Sequence, residues 1–329
     1  MKSFGTESKA AFLRLWRVNA PLTLTASLMV VVLAALLVGL AVDPRQVLGA
    51  PLWLKPAKFA ASIAVYSASL AWLFSYLPAF GRTRRVVGWI TAVALLIEMV
   101  IITLQAARGT TSHFNVSTPL DGALFTVMGV AIVAQTLSSI AVVVALFRQR
   151  FEDRALGWSL RLGLALTIAG ASIGGAMTRP TDDQLVELAA GRSTIAGAHT
   201  VGARDGGPGL PGTGWSREHG DLRVAHFLGL HALQVLPLFG LGVRRARKLR
   251  ARGVPLVLSF AASYAAFVGI VLWQALRGES LVAPSATTLA ALALWLALTG
   301  ASTWWAMTRK PPLERSALRV PLRQTRSLV

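Results

Sequence analysis

Eight apolar runs, each near the length of a bilayer crossing, constrain this chain more than any other feature. They lie at about 21–42, 53–80, 86–107, 118–147, 157–177, 222–243, 254–276 and 285–308. A helix rises 1.5 Å per residue, so about twenty apolar residues cross the roughly 30 Å of hydrocarbon. Backbone N–H and C=O groups find no water there, so each run must be helical. The expected fold is therefore all-α: a polytopic membrane helix bundle of about eight transmembrane helices, one transmembrane domain over residues 1–329. Composition agrees, with 54% hydrophobic and 14% charged residues, against about 25% charged in soluble domains.

The formal charge is +19, which in a soluble protein would point to nucleic acid. Here the basic residues cluster between apolar runs, as in Arg82, Arg84 and Arg85, in Arg148, Arg150 and Arg154, and from Arg244 to Arg252. They also fill a basic arm at 1–20 and a tail at 309–329. This is the positive-inside pattern, and nucleic-acid binding is excluded. It predicts an integral protein of a plasma membrane, bacterial in character, with cytoplasmic N and C termini. Its partners are then the lipid bilayer and, at the basic loops and tail, anionic lipid. The chain has no cysteine, which excludes thiol catalysis, iron–sulfur ligation, c-type haem and disulfides. The first apolar run is of full spanning length and lacks a small-residue cleavage site, so no cleavable signal is expected.

Chemistry concentrates in Trp215–Pro237, where a charged segment passes directly into the sixth span. Three of the five histidines, His219, His226 and His231, lie there. At 100° per residue, Arg223, His226, His231 and Gln234 fall within about 140° of helix circumference. Polar groups at membrane depth must face protein or water, so this side should line a site.

Other spans supply matching groups. The second opens on Trp-Leu-Lys-Pro-Ala-Lys-Phe, and Lys58, Ser62, Tyr66 and Ser69 form a stripe within about 80°; Lys55 and Lys58 snorkel to head groups or hold an anion. The third carries Glu98 at its midpoint, with Thr91 and Gln105 on the same face. A central acid costs about 2.5–3.5 kcal/mol on translocon scales, which argues against an idle one. The segment Arg108–Asn115, with His113, is rich in hydrogen-bonding groups. Gly170 and Gly174 in span five form a small-residue packing seam, and Arg161 is read as snorkelling. The long loop 178–221 reads as a short amphipathic helix from Thr181, then a glycine- and proline-rich cover over 202–214.

These residues predict a funnel with a basic mouth that narrows to Glu98, His231 and Tyr66 as the catalytic or proton-carrying groups. Lys55, Lys58, Gln105, Arg108, Asn115, Arg223 and Gln234 are the expected substrate-binding residues. His113, His219, His226 and His231 are the candidate metal ligands, for b-type haem or a single metal ion. Three functions compete. A haem- or metal-dependent membrane oxidoreductase stands first, although no other span contains a histidine to complete a bis-histidine haem. A proton-coupled transporter or channel for a small solute stands second, with Glu98 and His231 titrating and a basic mouth that would suit an anion. A non-catalytic membrane component is third.

Overall fold

A computed structural model describes residues 2–309; the tail from 310 onward, with the anionic-lipid contact expected of it, lies outside the described residues. Helix α1 (Lys2–Val18) precedes α2 (Ala20–Val42). A two-residue hairpin, β1 (Gln46–Val47) with β2 (Ala50–Pro51), leads to α3 (Leu54–Phe74), α4 (Gly81–Ala107), α5 (Pro119–Arg148) and α6 (Arg154–Met177). The long loop holds α7 (Asp182–Ala189) and the pair β3 (Thr200–Val201) and β4 (Gly220–Asp221), before α8 (Leu222–Arg245), α9 (Arg247–Arg250), α10 (Gly253–Leu276) and α11 (Ala286–Thr308). Eight of the described helices are long and apolar enough to cross a membrane. The protein is an all-α, membrane-spanning bundle, as the apolar runs require.

Helix starts follow local side-chain chemistry. Asn19, Thr118, Asp153, Asp221 and Ser285 each accept a bond from a first-turn N–H of α2, α5, α6, α8 and α11, and prolines sit in the first turns of α2 and α5. Thr181 and Gln184 form the reciprocal capping box of α7. The second span ends at Phe74, short of the expected boundary near 80, and a turn through Ser75–Phe80 starts α4 at Gly81.

The spans form two groups. Helices α2, α3, α4 and α5 pack on one another, as do α6, α8, α10 and α11, and α5–α6 and α3–α8 contacts join the groups. The α6–α8 contact is the closest, because Gly170 faces Gly229. A Cβ on Gly170 would stand 2.6 Å from the Gly229 Cα, so neither position tolerates a side chain. The largest core cluster joins both groups at the arginine-rich end, through Leu22, Leu70, Phe74, Val87, Leu146, Leu156, Leu160 and Leu164. Arg161 is not a free snorkelling cation. Its guanidinium donates to the Leu146 and Gln149 carbonyls at the end of α5 (2.9 and 2.8 Å) and lies near the rings of Phe147, Phe151 and Trp158.

Candidate functional site

The opposite end, the loop face, carries residues 43–53, 108–118, 178–221 and 277–285. There the 108–118 segment folds around Asp121, a buried carboxylate on the first turn of α5. Asp121 Oδ1 accepts from Gln105 Nε2 (2.8 Å) and Arg108 Nη1 (2.7 Å), and Oδ2 accepts from Ser117 (3.0 Å) and Thr118 (2.6 Å). Asn115 Nδ2 donates to Thr110 and Thr111, and its Oδ1 accepts from Ser117. Gln105, Arg108 and Asn115, expected to bind substrate, thus spend these groups on holding the segment in shape. The long loop is strapped over them by two backbone bonds, Val116 N–H to Thr194 O and Ala196 N–H to Phe114 O (both 2.8 Å).

Within this frame Phe114 adopts φ +63°, a left-handed conformation that costs a bulky residue about 1–2 kcal/mol. Its neighbour His113 joins two membrane helices. Lys55 Nζ, from the first turn of α3, lies 3.2 Å from His113 Nδ1, and His113 Nε2 lies 3.2 Å from Glu98 Oε1 on α4. An ammonium can only donate, so Nδ1 accepts and the imidazole proton resides on Nε2, donated to the carboxylate. Enclosure by the protein, helped by the Lys55 charge, pushes the His113 pKa down to about 4 against the opposing pull of Glu98. Glu98 is 4% exposed and its second oxygen, Oε2, has no hydrogen-bond partner. Ser67 Oγ, Thr91 Oγ1 and Arg84 Nε are the other such buried atoms among the described residues, so all four belong to α3 and α4.

The imidazole beside Glu98 is therefore that of His113, where the sequence reading expected His231. The helices carrying Glu98 and His231 have different neighbours: α4 packs on α2, α3 and α5, whereas α8 packs mainly on α6 and α10. His231 Nδ1 lies 2.8 Å from Phe227 O in its own helix and its ring stacks on Phe227 at 4.0 Å. His226 is set between helices, with Nδ1 2.8 Å from Gly170 O and its ring filling the space over Gly174. His219 sits half-buried in the long loop. The four candidate ligands are thus dispersed, and among the described residues no three His, Asp or Glu side chains converge on a point where a metal could sit. Tyr66 bonds Gln135 (2.8 Å) and lines a small cavity with Thr136, Ser139, Thr167 and Leu230.

A second polar line runs between α3 and α8. Gln234 Nε2 donates to Ser69 Oγ (3.1 Å). Nearer the loop face, Lys58 Nζ reaches Thr213 O (3.2 Å) and Arg223 Nη2 reaches Gly214 O (2.7 Å). Arg223 also pairs with buried Asp221 (2.6 Å). Asp121 and the 212–214 carbonyls were not singled out from sequence. Asp121 lies in a first helical turn, where an acid is common for capping alone, and backbone carbonyls have no sequence signature. Comparison of the chain with protein-family models, curated proteins and solved structures gives no match to any of them.

Proposed function

We propose that this membrane protein is a proton-coupled transporter of a small anionic solute, with Glu98 as its proton-binding group. The observation that supports this reading is the Lys55–His113–Glu98 chain. It connects the loop face to a buried carboxylate that has one oxygen free to take a proton. Protonating Glu98 removes the charge that holds Nε2–H of His113, and that in turn loosens Lys55, whose ammonium is then available at the basic mouth. Proton uptake and exposure of a cation are thereby linked at a single imidazole. The arginine-rich face would be cytoplasmic by the charge rule. The haem- or metal-dependent oxidoreductase has less support, because its histidines are scattered over separate contacts.

The test is reconstitution in liposomes that enclose a pH-sensitive dye. Inward proton movement should require an applied impermeant anion such as inorganic phosphate and should be lost in Glu98→Gln. Flux that is unchanged in Glu98→Gln would sink the proposal.

A further inference from the structure

Lys58 and Arg223 stand on different helices yet hold consecutive carbonyls, those of Thr213 and Gly214. Both α3 and α8 begin at this face, so their positive ends point the same way. Eleven residues further along each helix, Ser69 and Gln234 bond to each other. Eleven residues are about 16 Å of rise and return to within about 20° of the same azimuth. Helices α3 and α8 therefore face one another along one stripe, with a polar contact at each end. Between these contacts Ser62 and Phe227 remain exposed. Trp215, next to the loop tip, packs on Phe227 (5.7 Å), which stacks on His231.

Lys58 and Arg223 bring two cations to one turn, and Asp221 pairs with Arg223 alone. Among the described residues no carboxylate lies within ion-pair distance of Lys58. The partners that Lys58 does have, the Gly212 and Thr213 carbonyls, offer partial negative charge only. The tip is a tight glycine turn. Gly212 and Gly214 have φ of +74° and +70° with open space where a Cβ would be, and the Gly209–Ser216 bridge holds the base of the turn.

We propose that the carbonyls of residues 212–214 occupy the binding site of a small oxyanion, a carboxylate or a phosphate, and form a lid that this anion displaces from Lys58 and Arg223. The anion would then sit between Lys58 on α3 and Arg223 on α8, on the loop-face side of the Ser69–Gln234 bond. This rests on the reading of the loop face as the mouth of a transporter and names how that mouth opens.

The chain has no cysteine, so Thr213→Cys in the full-length protein provides a single thiol at the lid. Its rate of maleimide labelling is measured in nanodiscs at constant ionic strength set with sodium chloride. In phosphatidylcholine discs, acetate or inorganic phosphate should speed labelling about threefold or more as the population shifts to the open tip. Adding Lys58→Ala should raise the resting rate and abolish the response, and Lys58→Arg should restore it. A response to dissolved phosphate identifies a soluble anion. A response confined to discs containing phosphatidylglycerol identifies a lipid phosphate as the same chemistry at the same site. Labelling that ignores every anion, or a response that survives Lys58→Ala, overturns the proposal. Labelling needs no flux, so an anion-sensitive lid without proton movement removes only the transport reading. Proton movement with an insensitive lid removes only the lid.

Discussion

His113 Nε2 stands 3.2 Å from Glu98 Oε1 while Lys55 holds the other ring nitrogen at the same distance. One loop imidazole therefore ties the beginning of α3 to the middle of α4. Glu98→Gln keeps an oxygen that can accept from Nε2–H but removes the titrating group. The variant should fold, shown by an unchanged gel-filtration profile, and lose about a hundredfold or more of any proton flux, on the order of what general acid–base groups contribute.

The His113 pKa gives a pH dependence with a definite sign. Its pKa is pushed down to about 4 in the folded protein, against about 6.5 in an unfolded chain. Between these values the unfolded state binds the extra proton, so stability is complete above pH 6.5 and falls as pH drops toward 4. The loss is up to about 3 kcal/mol. Thermal unfolding in detergent at pH 7 and pH 4.5 should show the drop, and His113→Gln should flatten it.

Gly170→Val is expected to destabilise the protein by about 3 kcal/mol or more, since its Cβ would press on the backbone of Gly229 and no rotamer can relieve it. Gly174→Ala meets the edge of the His226 ring instead (2.7 Å). It should cost less, because a side chain can turn aside. The two melting temperatures, measured side by side, check the order.

Arg161→Lys should also be costly, by about 1–2 kcal/mol, because a single ammonium cannot serve the Leu146 and Gln149 carbonyls and lie against three rings at once. Proteolysis at 148–154 should quicken in this variant if α5 loses its terminal bonds.

Ser67→Ala and Thr91→Val remove hydroxyls that are buried without partners. Both should be neutral or stabilising by up to about 1 kcal/mol, since an unmatched polar group is costly to bury. A clear loss of stability in either would show that the hydroxyl has a partner, such as an ordered water.

The spans were legible because apolar length and caps are local properties. The Thr181–Gln184 box and the Thr118–Pro119 start are encoded within four residues of where they act. Glu98 was legible through the cost of burying it. Its partner was not, since counting residues along a helix gives depth but not which neighbour lies opposite. Helical rise alone puts His231 and Glu98 at similar depth, but they stand on helices with different neighbours. His113 reaches Glu98 only because 108–118 folds back around Asp121, and that path depends on bonds to Ser117, Thr118 and Gln105. The 202–214 stretch read correctly as lacking helix, yet the two cations it joins could be found only in three dimensions.

The leucine and phenylalanine cluster from Leu22 to Leu164 lies toward the arginine-rich end and contains residues from both four-helix groups. The Ser69–Gln234 bond lies beside this cluster, and at the loop face α3 and α8 are joined by the turn at 212–214. The two groups therefore share one apolar core and should unfold together, not one after the other.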